Sequence, residues 1–281
     1  MHLGTFTSVA LSLGAAAVWG GGDFAGGIAT RRANVFRVVA GAHACGLLLM
    51  LLLAWGTREP FPPRSSLQWG VFAGVSGAFG IAALYKALAI GRMGIIAPVA
   101  SVITGILPVL VGIRSEGLPD HFQLAGFGLA MVSIWLVARP SGEIDSHRGL
   151  GLAVLAGVMF GLFLVAGKQA GHDGVFWPLV AARATSTLLM LTIVGFAPRD
   201  ARSLRAALTP ILLSGALDSV ANAMFISATR HGRLDVAAVL SSLYPASTVI
   251  LARVLLKERL SRTQNAGIVG ALLSVALISA R

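Results

Sequence analysis

Ten apolar runs, each about as long as a lipid bilayer is thick, follow one another along this chain with only short polar connectors between them. They fall at approximately residues 5–29, 34–55, 67–90, 94–113, 122–139, 148–170, 175–196, 206–229, 234–255 and 264–280. An α-helix needs about 20 apolar residues to cross the hydrocarbon core. No water is available there, so the backbone must bond within its own segment or within a closed barrel. Continuous apolar runs without alternation select helices. Composition agrees, since only 12% of the residues are charged, about half the share of a soluble domain. The mean hydropathy is +0.82. The sequence predicts an all-α polytopic membrane protein with ten transmembrane helices.

The net charge of +11 does not mark a nucleic-acid binder, which would gather its cations on one soluble face. Here they sit in connectors such as "TRRAN", "APRDARSLRAA" and "LLKERLSRTQ", where they anchor helices against anionic lipid. The bilayer is therefore an expected partner and nucleic acid is not. The N-terminal "MHLGTFTSVALSLGAAAVWG" lacks the positive n-region of a cleaved signal, and reads as the first transmembrane helix. The single cysteine, Cys45, lies within an apolar run. There is no HExxH, no GxSxG and no phosphate loop, and the six histidines are scattered. An enzyme is not expected, nor is any metal or cofactor. No ring of like charges or carbonyl-rich filter marks a channel.

The two halves of the chain are related. "GRMGIIAPVAS" (91–101) lies over "GRLDVAAVLSS" (232–242) at an offset of 141 residues. The same offset places "QLAG" (123–126) over "QNAG" (264–267) and "WG" (19–20) over "FG" (160–161); "LLLM" (47–50) lies over "TLLM" (187–190) at 140. The expected division is a first repeat at 1–140 and a second at 141–281, with the polar "RPSGEIDSHRG" (139–149) as the seam. Each half holds five spans. An odd number sends the second half into the membrane from the opposite side, so the repeats are expected to be inverted, with a substrate site between them near the midplane.

The stretches "AVWGGGDFAGG" (17–27), "AIGRMGIIAPVASVITGILPVLVG" (89–112) and "LSSLYPASTVILARVLLKERLSRTQNAGIVGALLSVALIS" (240–279) resemble EamA-type members of the drug/metabolite transporter superfamily. The resemblance covers nearly the whole chain as two EamA-like units. Its most specific part is "LYP" in the ninth span, followed by "KERLS" and "Q..G" leading into the tenth. In the first half the acidic residue of that connector is Glu116, one place off Glu258 under the repeat alignment. The resemblance implies a ten-helix carrier without an ATP-binding part, often an exporter of amino acids or other small metabolites, with both termini in the cytoplasm. It also implies a bacterial plasma (inner) membrane as the location. Lysine and arginine are more frequent on the odd-numbered connectors, and the positive-inside rule would make those cytoplasmic instead.

Against this apolar background a few polar residues stand out. Asp218 and Asn222, in "ILLSGALDSVANAMFISA" (211–228), share one helical face with Phe225. That face either lines a central cavity, touching substrate or a coupling proton, or locks the helix to a neighbour through hydrogen bonds. Under the repeat offset Asp218 falls on Gly77 and Asn222 on Ile81, so the polar face exists in one half only. Arg183 and its counterpart His43 are candidate donors near the pseudo-symmetry axis, for a substrate carboxylate or for Asp23 or Asp218. The alternatives are snorkelling of Arg183 and a packing role for His43. Asp23 follows Trp19 and three glycines, as a gate or ion site or as a salt-bridge partner of Arg31. Lys86 and Lys168 are expected to snorkel. Pro98, Pro108 and Pro245 free backbone carbonyls, and Tyr244, Ser241 and Ser242 would offer hydroxyls beside Pro245. Two substrate chemistries follow: a zwitterion held by Arg183 and Asp218, or a cationic compound exchanged for a proton on Asp23 or Asp218.

Overall fold

The computed structural model describes residues 3–90, 93–138, 149–196, 204–256 and 261–279, and all their regular structure is helical. The helices are α1 (Leu3–Arg32), α2 (Val35–Gly56), α3 (Arg64–Ile90), α4 (Met93–Glu116), α5 (His121–Ala138), α6 (Leu150–Ala170), α7 (Phe176–Phe196), α8 (Leu208–His231), α9 (Leu234–Ser241), α10 (Tyr244–Leu256) and α11 (Arg262–Ser279). Six of them are long and apolar enough to cross a membrane: α2, α3, α4, α6, α7 and α8 with the turn before it. The seam expected at 139–149 lies outside the described residues except for Gly149, as does Glu258.

Short polar side chains fix several starts. Asn34 Oδ1 accepts from Phe36 N at 3.0 Å ahead of α2, and Asp120 Oδ1 accepts from Gln123 N at 2.9 Å ahead of α5. Before α11 the two-way capping box forms: Ser261 Oγ accepts from Gln264 N, and Gln264 Oε1 accepts from Ser261 N. The ninth span, expected as one helix, is broken between α9 and α10 at Ser242–Leu243. Proline at 245 has no N–H to continue the ladder from α9, so the chain turns and restarts.

Helix pairing obeys a pseudo-twofold. α1 packs on α8 as α6 packs on α3, and α2 meets α8 as α7 meets α3; α2 and α7 pair with each other, as do α5 and α11. Contacts also give the directions. α1 runs alongside α9 and α10, with Ser12 at Ser241 and Gly21 at Leu251. α6 runs alongside α4, with Gly157 at Ile103 and Gly161 at Leu107. α4 and α9 are antiparallel, because Gly112 meets Asp235 while Gly105 meets Ser242. Hence α1 and its counterpart α6 run in opposite directions, and the two repeats are inverted. Even peripheral bonds repeat: Arg32 Nη1 donates to Ala206 O at 3.1 Å, and at the matching place across the molecule Ser66 Oγ donates to Asp173 Oδ2 at 2.6 Å.

Small residues let these helices touch backbone to backbone, the usual substitute for a hydrophobic drive inside lipid. Gly70 and Gly74 face the α7 carbonyls of Pro178 and Ala182, and Gly22 and Gly26 face α8. The tightest approach joins α2 to α8, where a Cβ on Gly215 would lie 2.1 Å from the Ala42 carbonyl oxygen. Gly215→Ala is therefore expected to push α2 from α8 and cost about 1–3 kcal/mol. Gly128→Ala, at a glycine with nothing within 4 Å, should be tolerated. Thermal unfolding of the two variants in detergent checks the contrast.

Candidate functional site

Asp218 lies midway along α8, and three side chains converge on it from other turns and helices. Trp19 of α1 donates its indole N–H to Oδ1 at 3.1 Å. Arg183 of α7 forms an ion pair with Oδ2. Asn222, one turn further on α8, donates Nδ2 to the Asp218 carbonyl at 2.6 Å and to Oδ1 at 3.2 Å. α1 comes close to α8 at Gly22, where a Cβ would stand in ordinary contact 3.4 Å from the Asp218 amide. Trp19 is stacked against Phe225 with ring centroids 5.9 Å apart, so the face shared by Asp218, Asn222 and Phe225 is the one that receives α1.

The partners differ in exposure. The Arg183 side chain is 7% accessible and that of Asp218 34%; Asn222 is buried. Arg183 therefore does not snorkel: it is held inside the bundle with its charge compensated by Asp218. Asp23, one turn beyond Trp19 on α1, is exposed. It interacts electrostatically with Asp218 on α8 and with Tyr244 at the start of α10. α1 packs against both helices. No ion pair joins it to Arg31 among the described residues. Tyr244 shares a hydrogen bond with Ser101 Oγ of α4 at 2.9 Å, beside the α9–α10 break. His43 is buried on α2, within electrostatic reach of Arg183 and Asp218.

Ser241 falls elsewhere. It is fully buried and donates to the Ser12 carbonyl at 3.3 Å, tying α9 to α1. The mirror position in the first half carries no polar chemistry: Gly77 and Gly80 of α3 are covered by Phe163 and Phe160 of α6. Aromatic rings thus fill, on one side of the pseudo-twofold, the space that Asp218 and Trp19 occupy on the other.

Sequence reasoning missed a second charged cluster. Lys168 does not snorkel but pairs with Glu116 at the end of α4. Arg233 grips Asp235 through two bonds of 3.0 and 2.7 Å and donates to the carbonyls of Glu116 and Gly117. The Glu116 carboxylate also caps Leu234 N at the start of α9. At the same end of the molecule Glu59 accepts from the amides of Val175, Phe176 and Trp177, holding the first turn of α7. The signal was present in "GRLDV", where an acid sits in the first turn of a helix with an arginine just before it.

Replacing Asp218 by Asn leaves the Arg183 guanidinium buried without its counter-charge. The expected cost is about 3 kcal/mol, the low end for breaking a buried pair, because Asp218 is partly open. Arg183→Met, which removes the cation and keeps the bulk, should be milder. Urea or thermal unfolding of both variants in detergent measures the difference.

A model of the EamA-like transporter family matches the chain twice, at residues 6–139 and 147–280. One solved crystal structure superposes with a TM-score of 0.78 at 18% identity, covering 96% of this chain and 95% of the other, a likeness that establishes the fold. No curated protein matches this sequence. With family matches spanning nearly its whole length in two copies, on an inverted helical bundle, the chain belongs to the EamA-like transporter family and is an integral membrane transporter of the drug/metabolite type.

Proposed function

We propose that this protein is a secondary transporter that exports small amine-bearing metabolites, amino acids among them, by alternating access across a bacterial plasma membrane that it spans ten times. The reading rests on the groups gathered where α1 meets α8 and α10. Among the described residues the accessible charged groups there are two carboxylates, Asp23 and the partly open Asp218, beside the indole of Trp19. Arg183 is buried and already committed to Asp218. An ammonium group fits there, drawn by the carboxylates and by the face of the tryptophan ring. A substrate carboxylate would have to displace Asp218 to reach Arg183. This favours compounds with an exposed amine over the zwitterion bridged between Arg183 and Asp218, and it keeps cationic compounds within the range of substrates. Asp23 is the group assigned to alternate between a proton and the substrate's ammonium, because it is the more accessible of the two acids.

Proteoliposomes loaded with a mixed pool of amino acids, amines and simple carboxylates, with efflux read by mass spectrometry, test the reading. Amine-bearing compounds are expected to leave through the wild type and to slow at least tenfold in Asp23→Asn, which removes the charge at an exposed position and should fold normally. Efflux confined to carboxylates without an amine, or undiminished in Asp23→Asn, would remove this assignment.

A further inference from the structure

Behind the Arg183–Asp218 pair, on the side away from Trp19, four buried polar atoms find no hydrogen-bond partner among the described residues: His43 Nδ1, Arg183 Nε, Thr187 Oγ1 and Ser219 Oγ. They come from α2, α7 and α8, and each residue is at most 7% exposed. Several observations put them in one place. A Cβ on Gly46 would stand 2.1 Å from Ser219 Oγ and 3.4 Å from Arg183 Nε, so both atoms lie against the bare α2 backbone at Gly46. His43 is three residues before Gly46, on the same face of α2, and its ring lies within electrostatic reach of Arg183 and Asp218. Thr187 is one turn beyond Arg183 on α7. In an apolar interior each such atom carries the full penalty of desolvation unless something bonds to it, and native proteins meet that need with buried water held by two to four polar groups.

We propose that His43, Arg183, Thr187 and Ser219 form an internal water-binding site that serves as a second seat for the Arg183 guanidinium. The donor set suits water: Arg183 Nε donates, the two hydroxyls donate or accept, and the imidazole nitrogen does either according to its tautomer. With Nη2 on Asp218 and Nε on the water site, Arg183 stands between two polar environments. When a substrate ammonium takes over the Asp218 carboxylate, the guanidinium turns toward the hydrated side, where its N–H groups find oxygen without entering lipid. This second-seat role rests on the amine reading given above; the water site itself does not.

Hydroxyl radicals generated by X-ray radiolysis label side chains beside bound water. In the detergent-solubilised wild type, His43 is expected to label several-fold faster than Phe225, which is equally buried among apolar neighbours, and the difference should shrink in Ser219→Ala. Labelling of His43 no faster than Phe225 would overturn the site. The isosteric Thr187→Val gives an independent reading: loss of a water-bonded hydroxyl lowers the melting temperature, whereas removal of a dry, unpaired one raises it. For the second-seat role, binding of an amine substrate identified by the efflux experiment is compared in wild type and in Thr187→Val. A loss of affinity of threefold or more supports the role, and an unchanged affinity in a protein whose His43 still labels overturns it. If no amine substrate emerges from that experiment, the second-seat role falls with the amine reading, while the labelling still decides the water site.

Discussion

Arg183 and Asp218 tie α7 to α8 at a depth where neither charge can stand alone. Hydrocarbon solvates neither a guanidinium nor a carboxylate, so the pair must form, and forming it fixes much else. It sets the rotation of α8, which aims Asn222 and Phe225 at α1. It brings Trp19 in to share the carboxylate, with α1 close against α8 at Gly22. It also leaves the back of Arg183 facing α2, where Gly46 and Gly215 remove the side chains that would hold the helices apart.

The pseudo-twofold makes the contrast between the halves instructive. The same crossing of a first helix with a third helix occurs twice, as α1 on α8 and as α6 on α3. In one copy the large partner is phenylalanine over glycine, and the crossing is plain packing. In the other the glycine lies on the opposite helix and the position it faces carries Asp218. A backbone framework laid down twice thus carries the Asp218 polar cluster at one crossing and phenylalanine over glycine at the other.

Much of this was legible in the sequence because lipid imposes so narrow a grammar. Apolar runs of bilayer length can only be helices, and a constant offset between halves with five runs each can only invert. The convergence of Trp19, Arg183 and Asn222 on Asp218 was legible only as a set of suspicious residues: periodicity places Asn222 on the face of Asp218, but nothing in the sequence sets the depth of α7 against α8. Ser241 illustrates the limit. It stands next to a helix break that faces the central region, yet one residue of rotation turns it into the α1 contact at Ser12. Lys168 misled for a related reason, since a lysine near a helix end normally reaches for the interface, and its partner Glu116 belongs to a helix more than 50 positions earlier.

The Glu116 cluster gives the molecule a polarity that its backbone symmetry lacks. At that end α4, α6 and the start of α9 are joined by charges drawn from both repeats. The repeat offset assigns the opposite end Gly27 in place of Lys168 and Gly94 in place of Asp235, so two of the cluster's charges have no counterpart there in the sequence. Spreading the helices at the end that holds the cluster must work against ion pairs that dissolved salt weakens. Opening of the bundle at that end would therefore respond to ionic strength.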